Sequence, residues 1–66
     1  MQLDEYLKGK PRGTTAGLAA RLGITKTWMS LIVSRRRKPS PELAVLIEEY
    51  TEGKVKRRDL LPEIFS

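Results

Sequence analysis

There is no cysteine and no histidine in these 66 residues. The first absence excludes a disulfide framework and a thiolate metal site. The second removes the commonest metal ligand and the usual general base. Aromatic residues are scarce: one Trp, two Tyr and one Phe. Apolar runs reach only a few residues, against the ~20 needed to cross a bilayer. The opening MQLDEYL carries acids where a signal peptide carries a basic stretch and an apolar core. With no carboxylate cluster in the basic half and no phosphate-cradling glycine loop, nothing here suits catalysis. The expectation is one small domain over residues 1–66, not an enzyme. It holds no metal or cofactor, binds no small-molecule ligand or membrane, and works in the cytoplasm.

The most informative absence concerns one sign of charge. From Tyr6 to Pro41 there is no Asp or Glu. Residues 1–38 hold nine Lys or Arg against two acids, whereas residues 39–66 hold four against six. A surface with no role beyond solubility mixes both signs. A one-signed half points to a partner carrying many negative charges.

What is present reads as helix nearly throughout, an all-α fold of four to five short helices. Leu3, Tyr6 and Leu7 share a face, with Asp4 and Glu5 in the first turn where they suit the helix dipole. GKPRG, residues 9–13, breaks that helix. TTAGLAARLG follows, with Thr14 or Thr15 as its cap, Leu18, Ala19 and Leu22 inward, and Gly23 as its stop. Thr25 caps a third helix carrying Met29 and Ile32 one turn apart. Lys38 precedes Pro39, so RRRKP is a loop. Ser40, Pro41 and Glu42 then open the clearest helix, ended by Gly53, with Leu43, Ala44, Leu46, Ile47 and Tyr50 as its buried stripe. Residues 54–66 form a C-terminal tail with a short helical turn around Asp59 to Leu61.

Two short helices joined by a glycine turn, over about residues 15–33, make a helix-turn-helix, the device that sets a second helix in the DNA major groove. At ~100° per residue, Trp28, Met29 and Ile32 point into the domain while Thr27, Ser30, Leu31 and Ser34 point out. Lys26 stands beside them in the first turn, where the helix dipole disfavours a cation. Lys26, Thr27, Ser30 and Leu31 are therefore on the edge of this helix that a duplex could meet. The candidate backbone contacts are Thr14, Thr15, Thr25, Trp28, Ser34, Arg35, Arg36, Arg37 and Lys38. Leu31 either meets a thymine methyl or packs. Trp28 either donates to a phosphate or packs on the first helix. Lys54, Lys56, Arg57 and Arg58 are either further contacts or a solvated surface. In the tail, Leu60 and Ile64 either cover the core or, as Ile64 and Phe65, meet a second chain across a two-fold axis.

The segments AARLGI, SRRRKPSPELA and DLLPEIF, taken together, resemble the small Cro-like helix-turn-helix proteins of the Cro/CI repressor family, in particular the YdaS-like prophage group. The resemblance runs along nearly the whole chain. It implies a five-helix repressor-type domain on double-stranded operator DNA, a weak homodimer tightened by that DNA, in the nucleoid of a bacterial or phage-infected cell. The resemblance makes Lys26 to Val33 the recognition helix and Lys26, Thr27, Ser30 and Leu31 its base-reading candidates. Thr15 and Leu31 stand where many relatives carry Gln, and neither makes the bidentate adenine contact of Gln, so no relative's operator transfers. The alternative reading is an antitoxin-like or adaptor module that binds an acidic protein.

Overall fold

A computed structural model describes residues 1–11 and 13–65; Arg12, inside the break after the first helix, lies outside them. Five helices follow in order: α1 (Leu3–Leu7), α2 (Thr14–Leu22), α3 (Lys26–Val33), α4 (Pro41–Tyr50) and α5 (Arg57–Leu60). No strand occurs among the described residues. The chain folds into a body of 32 × 20 × 19 Å in which α3 packs on α2, and α4 packs on both α2 and α5.

Local sequence explains most boundaries. Gly23 takes a left-handed φ of 72° and ends α2. Its N–H donates to the Ala20 carbonyl at 3.2 Å, and the Ile24 N–H donates to that of Ala19 at 3.0 Å. This pair of bonds satisfies carbonyls that the helix end would leave without partners. Ile24 then folds back onto the core. Thr25 Oγ1 accepts the Trp28 N–H at 3.0 Å to start α3, and Ser40 Oγ accepts the Leu43 N–H at 3.2 Å to start α4.

Other expectations fail. The cap of α2 is Gly13, at φ 95°, not Thr14 or Thr15. Thr14 Oγ1 instead donates back to the Pro11 carbonyl at 2.8 Å. The last helix spans Arg57–Leu60, earlier than the turn expected around Asp59 to Leu61, because Asp59 Oδ2 accepts the Lys56 N–H at 3.1 Å and fixes Lys56 as the cap.

The core gathers Leu3, Leu18, Ala19, Leu22, Met29, Ile32, Leu43, Ile47 and Val55, with Ala44 and Leu61 also buried. Tyr50, expected in the buried stripe, lies outside it at 39% exposed, and Ile64, at 55% exposed, does not take the core alternative of its two readings. Tyr50 is the last residue of α4, and that end of the core is closed by Thr51 and Val55. Thr51 is 1% exposed yet fully bonded, donating to the Ile47 carbonyl at 2.8 Å and accepting the Val55 N–H at 3.1 Å.

Candidate nucleic-acid interface

The amphipathic spacing of α3 sets its orientation. Met29 and Ile32 are buried, and Trp28 and Val33 pack half-buried against the core. The opposite edge exposes Lys26, Thr27, Ser30 and Ser34. No acidic residue lies in the first turn of α2 or of α3. Leu31 is half-buried, but it is not among the side chains packed on the core. It sits between the two faces, beside Ser30 and Ser34.

The hydroxylic candidates for backbone contact divide by what their protons already do. Thr15 is exposed at the start of α2, and Thr25 is exposed and uses its oxygen as an acceptor, so both keep a donor for an incoming oxyanion. Thr14 is half-buried with its hydroxyl donating to the Pro11 carbonyl, and Ser34 Oγ donates to the Leu31 carbonyl at 3.2 Å. A phosphate contact from either hydroxyl has to displace that bond. Trp28 packs its side chain half-buried against the core, and it is its backbone N–H, not that of the indole, that enters the Thr25 cap.

The cationic loop after α3 is fixed by its backbone. Arg35 holds a left-handed φ of 64°, a conformation that disfavours any side chain. Its N–H donates to the Ile32 carbonyl at 3.1 Å, while Arg36 and Arg37 both donate to that of Leu31, at 3.0 and 3.2 Å. These bonds give α3 the glycine-type ending with an arginine in glycine's place.

All four cations are exposed, but they do not stand alike. Arg35 Nη2 meets Asp4 Oδ1 of α1 at 3.0 Å, and Lys38 Nζ meets Glu63 Oε1 of the tail at 2.8 Å. Among the described residues, Arg36 and Arg37 have no carboxylate within ion-pair distance. The hydrogen bond from Arg35 lowers the Asp4 pKa below its ordinary value, and the one from Lys38 does the same for Glu63. Sequence reasoning missed both partners. The two pairs join residues 31 and 25 positions apart, so no local spacing announces them.

The tail has its own surface. Lys56, Arg57 and Arg58 line an open cleft of about 510 Å3 with Glu48, Ile64 and Phe65. Arg57 is not free there: its N–H and its Nε both donate to Glu48 Oε1, at 2.8 and 3.0 Å, and its guanidinium lies 5.7 Å from the Phe65 ring centre. The Arg57 N–H, ahead of the guanidinium, lowers the Glu48 pKa. Phe65 is half-buried and Ile64 stands clear, so of the two candidate dimer residues Ile64 offers the larger open surface.

Comparison with known proteins finds similarity over most of the sequence. A curated protein of Escherichia coli strain K12, named prophage transcriptional regulatory protein, is 35% identical over 48 residues, which is 73% of each chain. The family described as "Bacterial toxin YdaS" matches residues 8–66, a span that takes in α2, α3, the cationic loop, α4, α5 and the tail. The chain is a member of the YdaS family.

Proposed function

We propose that this chain is a prophage transcription regulator of the Cro type that binds double-stranded operator DNA with α3 in the major groove. The observation that carries this reading is the exposed, acid-free edge of Lys26, Thr27 and Ser30, continuous with the cationic loop. Short hydroxylic side chains let a helix approach base edges closely, while Arg36 and Arg37 supply backbone attraction. Thr15 and Thr25 add oxyanion donors at the starts of the two helices. Leu31, half-buried beside Ser30, is the side chain that would supply an apolar contact to a thymine methyl. Ile64, with Phe65 behind it, is the surface on which two chains meet weakly and which DNA with two half-sites reinforces. The protein is not an enzyme, uses no cofactor, and acts in the cytoplasm at the nucleoid by covering a promoter. The name of the Escherichia coli relative supports the regulator part of this reading.

A second reading draws on the family's description as a toxin and on the cleft of Lys56, Arg58, Ile64 and Phe65. In it the chain is a protein-interaction half of a toxin pair, with an acidic protein in that cleft. A gel shift on DNA flanking its own gene, with random competitor, separates the two. The regulator reading expects a retained complex whose log affinity falls with log salt by about 0.9 per phosphate neutralised. Absence of a shifted complex at low salt, or an affinity indifferent to salt, rejects it.

A further inference from the structure

The two cations at the ends of the RRRK loop are already neutralised, each by a carboxylate from an opposite end of the chain. Asp4 comes from α1 and Glu63 from the tail. The ends of the chain are drawn to that side of the molecule by α5. The Met1 ammonium donates to Asp59 Oδ2 at 2.7 Å, and Gln2 Nε2 donates to the Asp59 carbonyl at 2.8 Å. Arg35, Arg37 and Lys38 then line a cleft of about 170 Å3 with Gln2 and Asp59.

Neither pair is sheltered. The side chains are 60% and 46% exposed for Arg35 and Asp4, and 68% and 46% for Lys38 and Glu63. A carboxylate bond of this kind exchanges readily with a phosphate, which offers the same charge-assisted geometry. The Arg35 backbone is held by the cap at the end of α3, so its guanidinium changes partner by side-chain rotation alone.

We propose that Asp4 and Glu63 are internal counter-ions of the DNA-binding loop, so that Arg35 and Lys38 reach phosphate only by exchanging carboxylate for it. This rests on the DNA-binding reading above and adds a control on it. Arg36 and Arg37 make the first contacts, and the two end cations join at a cost that tempers affinity for any duplex. The exchange leaves a signature that simple stapling of the termini does not. A carboxylate released from its cation takes up a salt cation from solution. That uptake offsets part of the counterion release at the phosphate, and the salt dependence becomes shallower.

The test measures affinity for a random-sequence duplex by fluorescence anisotropy across a salt series. It compares the unaltered chain, D4N/E63Q, and the charge-matched control E49Q/E52Q. Glu49 and Glu52 are exposed and not ion-paired among the described residues. D4N/E63Q is expected to bind between about twofold and thirtyfold tighter, the range set by freeing two exposed ion pairs. Its log–log slope is expected to steepen by up to ~1.8, from ~0.9 for each cation released to phosphate. The control gains less affinity and keeps the original slope. Equal slopes for the two double variants overturn the exchange, as does weaker binding by D4N/E63Q, which makes the pairs positioning contacts instead. If the unaltered chain fails to bind duplex at any salt, the DNA-binding reading falls and the exchange falls with it.

Discussion

Thr51 joins the end of α4 to the turn that follows it through its hydroxyl. It follows α4, is 1% exposed, and its hydroxyl bridges the Ile47 carbonyl and the Val55 N–H. Val55 is itself fully buried, so its N–H has no access to water if that oxygen is removed. Thr51→Val preserves shape but strands that N–H, at a cost of about 1–3 kcal/mol. In a domain of this length, each 1 kcal/mol lowers Tm by roughly 4–8 °C. Thr51→Ser keeps both bonds and loses one methyl group, worth about 0.8 kcal/mol. Thermal unfolding followed by circular dichroism checks the order: Val less stable than Ser, Ser less stable than Thr. A Val variant as stable as the unaltered protein contradicts the bridging role. The hydroxyl's partners lie three and four residues before it in α4, at Glu48 and Ile47, and four after it beyond the turn, at Val55, so neither α4's periodicity nor its expected stop at Gly53 points to Thr51.

At the scale of the element, α3 and its loop separate two kinds of contact. Thr27 and Ser30 lie on the exposed helix edge, and Arg36 stands on the loop with no carboxylate partner among the described residues. Thr27→Ala and Ser30→Ala are expected to change which sequences are preferred in a selection from random duplexes, with little change on random DNA. Arg36→Ala is expected to weaken binding to all duplexes alike and to lower the salt slope by about 1. If all three variants lose the same factor on preferred and random DNA, that separation does not exist. The elements bearing these side chains were largely legible, because each boundary there rests on residues next to it in sequence. Gly23 ends α2, Thr25 and Ser40 cap α3 and α4, and the apolar spacing buries Met29 and Ile32. The start of α2 was not legible, since a threonine is a better cap than glycine by chemistry alone and the choice depended on Thr14 bonding to Pro11. The loop was legible as a run of cations, but not as two paired and two without a carboxylate partner among the described residues. That distinction is set by α1 and the tail, whose approach depends on the whole packing.

Across the whole molecule, carboxylates close the structure at its ends, and this sets its response to acid. Asp59 holds the Met1 ammonium, which lowers its pKa, just as Arg35 lowers that of Asp4, Lys38 that of Glu63 and the Arg57 N–H that of Glu48. For each of the four, the folded pKa lies below the unfolded one, so near pH 4 the unfolded chain binds more protons. Their contribution is therefore complete above the ordinary carboxylate range and is lost as pH falls through the depressed folded values. With no histidine in the chain, no side chain has an ordinary pKa near neutrality, so stability is expected to stay nearly flat between about pH 7 and about pH 5. Below that it declines, with the denaturant midpoint dropping between about pH 5 and pH 3. The loss comes from the contacts that tie Met1 and α1 to α5 and the loop, the tail to the loop, and α5 to α4. D4N/E63Q is thus expected to start from a slightly lower midpoint at pH 7 and to lose less on acidification. High salt, which screens exposed pairs, should narrow the same gap. Urea unfolding at pH 7, 5 and 3, with and without added salt, reads all of these. An unaltered protein whose midpoint rises toward pH 3, or a double variant as acid-sensitive as its parent, assigns the closing of the ends to apolar packing alone.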